Sequence, residues 1–125
     1  MEVTRREIEI VVRRLGGNGT YKGFNYLVYG IEVAMRNPDL LTYVCKGLYV
    51  NIATHFHTTI ECAERDIRTI KMVIFQNGNR EMLDEIFGNV NNDNIPTNSE
   101  FIDKLVGTKS DTTLISELKK YKKIS

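Results

Sequence analysis

Glu61, Cys62, Arg65, Arg68, Thr69 and Met72 fall on one side of the stretch from Ile60 to Phe75 when it is wound at about 100° per residue. Ile60, Ala63, Ile67, Ile70 and Ile74 fall on the other, as one apolar stripe. Arginines mixed with a carboxylate and small polar groups offer donors and acceptors to base edges, but a solvated helix face has the same composition. The pattern alone leaves both open. Just upstream, Thr58 and Thr59 place hydroxyls where the helix would begin, where they either cap exposed N–H groups or donate to a phosphate. Thr58 and Glu61 have capping-box spacing, which predicts a helix start just after Thr58.

Catalytic chemistry finds little support elsewhere. His55 and His57 are two apart and point to different sides of a helix, and further ligands at useful spacing are missing, so a surface or capping role fits them better than a metal. Asp84 and Glu85 are adjacent and splay apart, which does not favour paired-carboxylate catalysis. Cys45 and Cys62 show neither a disulfide framework nor zinc spacing. Tyr21, Tyr26, Tyr29 and Tyr43 have helical spacing that suits core or rim packing better than base stacking. The expectation is a non-enzyme with no cofactor, no metal and no small-molecule substrate.

The elements that must carry these residues are helical. A chain of 125 residues with 42% hydrophobic composition suits one core rather than two. Its net charge of +1 gives no strong electrostatic signal for nucleic acid. No apolar run is long enough for a bilayer and no cleavable signal follows the N-terminus, so a cytoplasmic protein with reduced thiols is expected.

A first helix over Val3 to Leu15 ends where Gly16 and Gly17 permit a left-handed turn. A second, lined by Phe24, Leu27, Val28, Ile31 and Met35, stops at Asn37 and Pro38. Leu40, Leu41, Val44 and Leu48 continue as a packing face, broken near Gly47. Leu48 to Phe56 then forms a positioning helix, and the next helix runs to a glycine cap at Asn77 and Gly78. A short helix follows through Met82, Leu83, Ile86 and Phe87, then an asparagine-rich loop, and a last capping box at Thr97 and Glu100 opens a helix with Phe101, Ile102 and Leu105. These elements predict an all-α, single-domain bundle of about six helices containing a helix-turn-helix. Residues 1–108 form that domain, and 109–125 form a basic tail, helical or disordered.

Four strings carry a family resemblance: KGFNYL at Lys22 to Leu27, IATHFHTT at Ile52 to Thr59, AERDIR at Ala63 to Arg68, and PTNSEFI at Pro96 to Ile102. They resemble, in order and spacing, the DNA-binding effector domain of the sporulation stage-zero response regulator A family, over about Ile8 to Val106. The resemblance implies a transcription regulator that binds promoter DNA, often as tandem domains, with the helix from about Thr59 to Gln76 in the major groove. It also implies an N-terminal receiver domain phosphorylated on aspartate; the residues given leave a truncated chain and a stand-alone effector both open.

The resemblance places base contacts at Cys62, Glu64, Arg65 and Arg68. Three of these keep the family's residue type, whereas Cys62 stands where the family has arginine. Thr54 and His55 replace two lysines, and Ile95 replaces a lysine before PTNSEFI. Charges able to neutralise phosphates are thereby lost, and a weaker binder, or one helped by a partner, is expected. The rival from another class is a protein-interaction module that keeps the bundle but has lost its reading face.

Overall fold

Six α-helices make up most of residues 4–107, the part of the chain described by the computed structural model. They are α1 (Arg5–Leu15), α2 (Lys22–Arg36), α3 (Tyr49–Phe56), α4 (Ile60–Asn77), α5 (Arg80–Phe87) and α6 (Asn98–Val106). No strand occurs among the described residues, so the fold is the all-α bundle expected from the periodicity. The basic tail expected at 109–125 lies outside the described residues.

The helix α2 is the hub. It packs against α1, α3, α4 and α6, and buries Phe24, Leu27, Val28, Ile31 and Ala34 between them. Close approach to α4 requires Gly23, because a Cβ there would collide with the Asp66 carbonyl oxygen. Beside it, α1 buries Ile8, Val11, Val12 and Leu15. It starts later than periodicity alone suggests, because Thr4 and Glu7 form a capping box: the Glu7 amide donates to Thr4 Oγ1 at 3.2 Å, and the Thr4 amide to Glu7 Oε1 at 3.1 Å. Gly16 ends it at φ 120°.

Between α2 and α3 the chain makes a 3₁₀ turn, Pro38–Leu41, and a wider π-type turn, Val44–Leu48. The expected break at Gly47 does not occur. Its amide donates to the Tyr43 carbonyl at 2.6 Å, and the turn runs straight into α3.

At its far end α4 is fixed to α1. The Asn79 amide donates to the Leu15 carbonyl at 3.0 Å, and a Cβ on Gly78 would strike the Leu15 and Ile74 carbonyl oxygens. Gly78 therefore serves this contact and not a left-handed cap, since its backbone is extended at φ −83°. Asn79 then caps α5, and the Thr97–Glu100 capping box opens α6 as its spacing predicts. Phe75, Phe87 and Phe101 close the base of the bundle with ring centroids 5.3 to 5.7 Å apart.

Candidate nucleic-acid interface

The helices α3 and α4 pack on each other and are joined by three residues, an arrangement compatible with a helix-turn-helix. His57 makes the turn. It sits at φ 55° and ψ 47°, a left-handed conformation that histidine tolerates better than most residues. The amide of Thr58 then donates to the Ala53 carbonyl at 2.9 Å, closing the end of α3.

Thr58 is thereby committed to α3, and the cap of α4 falls one residue later than its sequence spacing suggests. Thr59 is the N-cap, accepting from the Cys62 amide at 3.1 Å, and the expected Thr58–Glu61 box does not form. Thr59 and Glu61 are exposed, and Thr58 is half-buried.

From this start the buried stripe of α4 is Ala63, Ile67, Ile70 and Ile74, with Ile60 half-buried at its tip. Directly opposite stands Arg65, with 61% of its side chain exposed; Arg68, at 53%, lies toward one flank. Neither guanidinium is unengaged. Arg65 Nε reaches Asp66 Oδ1 at 3.4 Å, and Arg68 Nη1 pairs with Glu64 Oε1 at 2.6 Å, one helical turn away. The Thr69 hydroxyl donates back to the Arg65 carbonyl at 3.0 Å, as mid-helix threonines do. The Cys62 side chain is half-buried. Hydrogen bonds with Thr59 and then Thr58 hold its thiol below the usual cysteine range.

Glu61, Cys62, Glu64, Arg65, Arg68 and Thr69 thus share the part of α4 away from the core, with Thr58 and Thr59 at its start. Charge on this surface is nearly balanced, since each arginine has an acidic neighbour on its own helix. On α3, Thr54 and His55 are exposed, and His55 stacks on Tyr29 with ring centroids 4.0 Å apart. Tyr26 and Tyr29 are half-buried at the rim, as their spacing suggests, whereas Tyr43 is 68% exposed.

Two buried polar residues beside this face escaped the sequence patterns. Asn98, at the first turn of α6, donates from Nδ2 to the Tyr49 hydroxyl and to the Glu64 carbonyl, each at 3.1 Å. It ties α6 to both helices of the pair. Lys71 is 5% exposed, and its Nζ donates to the Pro96 carbonyl at 2.8 Å. At 100° per residue Lys71 falls about 20° beyond Ile60, just outside the edge of the apolar arc, so angle gave only a partial signal for it. For Asn98 the only signal was its place in PTNSEFI.

These residues also meet in a groove of about 390 Å³ lined by Glu64, Arg68 and Lys71 of α4, by Thr97, Asn98 and Ser99 of α6, and by Tyr49 with its preceding turn. No cluster of histidine, cysteine, aspartate and glutamate able to hold a metal occurs among the described residues. None of the described helices is long and apolar enough to cross a membrane.

The family model described as "Sporulation initiation factor Spo0A C terminal" matches residues 8–108, from the first buried residue of α1 to just past α6. The chain belongs to the Spo0A C-terminal family. It is therefore a DNA-binding domain of the sporulation-regulator type, as the four strings suggested. In this Spo0A C-terminal domain the expected lysine before PTNSEFI is Ile95, yet a cation still reaches that place. Lys71 crosses from α4 to the carbonyl of Pro96, the next residue along.

Proposed function

We propose that this domain is a sequence-specific transcription regulator that lays α4 in the major groove of promoter DNA. The observation that carries this reading is the outer face of α4, where Arg65 stands exposed opposite the buried stripe and Arg68 stands exposed toward its flank. A helix of eighteen residues held by its inner side alone leaves the rest of its surface able to enter a groove wide enough for it. Arg65 reads a base and Arg68 a base or a phosphate. Glu61, Cys62, Glu64 and Thr69 flank them, and Thr58 and Thr59 approach the backbone at the start of the helix.

Regulation fits the role of a response-regulator effector acting in the cytoplasm, as a monomer or as tandem copies on adjacent boxes, with no enzymatic step. Both arginines must exchange their acidic neighbours for DNA, and the lysines expected at Thr54, His55 and Ile95 are absent. Affinity should accordingly be modest and its salt slope shallow.

Fluorescence-anisotropy titration of promoter duplexes at several salt concentrations tests this. Salt-sensitive binding that weakens about tenfold in Arg65→Ala is expected. Absence of salt-sensitive binding to any duplex, with Arg65→Ala changing nothing, would instead support a protein-interaction module.

A further inference from the structure

Both edges of the buried side of α4 are held by neighbouring elements. On one edge, α2 comes so close that a Cβ on Gly23 would collide with the Asp66 carbonyl oxygen. On the other, the chain entering α6 holds α4 twice: Asn98 Nδ2 donates to the Glu64 carbonyl at 3.1 Å, and Lys71 Nζ donates to the Pro96 carbonyl at 2.8 Å. Glu64 and Lys71 are two helical turns apart, about 10 Å along α4, and only about 20° apart around its axis. One bond is donated by the α6 side and one by α4, so Pro96 and Asn98 form a two-point clamp. Arg68 lies between the two points, and by helical geometry its amide shares the Glu64 carbonyl with Asn98.

Stability does not account for Asn98. Its side chain is buried, and both of its hydrogen bonds leave from Nδ2, the second reaching the Tyr49 hydroxyl at 3.1 Å. Its Oδ1 is buried with no donor among the described residues. A buried acceptor without a partner is destabilising, and an apolar side chain of similar size would avoid it. What asparagine adds is direction, because its bonds set α4 against α6 and, through Tyr49, against the start of α3.

We infer that Asn98 is a positioning residue for base reading, which together with Lys71 fixes the rotation of α4 so that Arg65 and Arg68 meet base edges in register. This rests on the DNA-reading role proposed for α4. Asn98 acts through the backbone of α4 and touches no base itself. A rotation of about 20° moves a group about 6 Å from the helix axis by about 2 Å, enough to break a hydrogen bond.

Fluorescence anisotropy of the 125-residue chain tests this on two duplexes, the one it enriches from a randomised pool and a scrambled one of the same length and composition. The quantity to compare is the ratio of the two affinities, in which loss of a backbone contact largely cancels, since such contacts carry no sequence information. Asn98→Leu should lower the ratio about tenfold while melting at or above the temperature of the parent. Lys71→Met should lower it in the same way, and Lys71→Arg, which keeps a donor for Pro96, should restore it. A parent-like ratio in folded Asn98→Leu or folded Lys71→Met overturns the inference and leaves the reading role of α4 intact. Melting of Asn98→Leu far below the parent also overturns it, because Asn98 would then be a structural residue. If the parent itself does not discriminate between duplexes, the reading role falls and the inference falls with it.

Discussion

Arg68 can grip a base or a phosphate only by leaving Glu64, its partner at 2.6 Å. Exposed pairs of this kind add little to stability, so the exchange is cheap, but the carboxylate left behind repels the backbone. Glu64→Gln should therefore tighten binding to any duplex and steepen its salt dependence. Equal affinity and slope for both proteins at two salt concentrations would show that Glu64 does not restrain Arg68. Cys62 gives a second handle on the same face, because Thr59 and Thr58 favour its thiolate. Iodoacetamide should alkylate it with a pH midpoint below that of a free thiol, and bound duplex should slow the reaction; mass spectrometry reads both. Lys71 sets a pH dependence of stability with a definite sign. Its folded pKa is depressed below the unfolded value near 10.5, so the unfolded chain binds the proton more tightly between the two values. Stability should rise with pH through that window in the parent protein, and this rise should be missing in Lys71→Met when urea midpoints are compared.

The α3–α4 pair depends on one hydroxyl at its centre. Thr59→Ala removes the cap that accepts from the Cys62 amide and should cost about 0.5–2 kcal/mol in urea unfolding, with Thr58→Ala costing less. The reverse order would contradict the assignment of the cap. Spacing favoured Thr58 because Glu61 lies three residues on, but a spacing rule does not see the preceding helix. The left-handed turn at His57 sends the Thr58 amide to Ala53, and Thr59 is then the first residue able to cap. At Thr97 the same rule succeeded, because no helix runs into that turn and Glu100 is there to complete the box. Gly78 shows a similar limit. Its position at the end of α4 was legible, whereas its reason was the approach of Leu15 from a distant part of the sequence.

At the scale of the molecule, the bundle was legible because its helices bury regular stripes, and the outer face of α4 followed from the same periodicity. Asn98 was not legible as buried and Lys71 only as a residue at the edge of the apolar arc, since a polar residue is fixed inside by partners from other elements, here Pro96, Tyr49 and Glu64. The junction that carries α4 is the contact of α2 at Gly23 with the Asp66 carbonyl. Gly23→Ala should destabilise the domain by about 1–3 kcal/mol or more through overpacking, and a thermal melt unchanged from the parent would contradict that packing. The central claim is that the outer face of α4 reads base edges. Parallel selection from a randomised duplex pool by the parent and by Arg65→Ala tests it most directly. The account predicts that the parent enriches a defined box and that the variant relaxes preference at one position within it. Enrichment of the same box by both proteins, or of none by the parent, would contradict it.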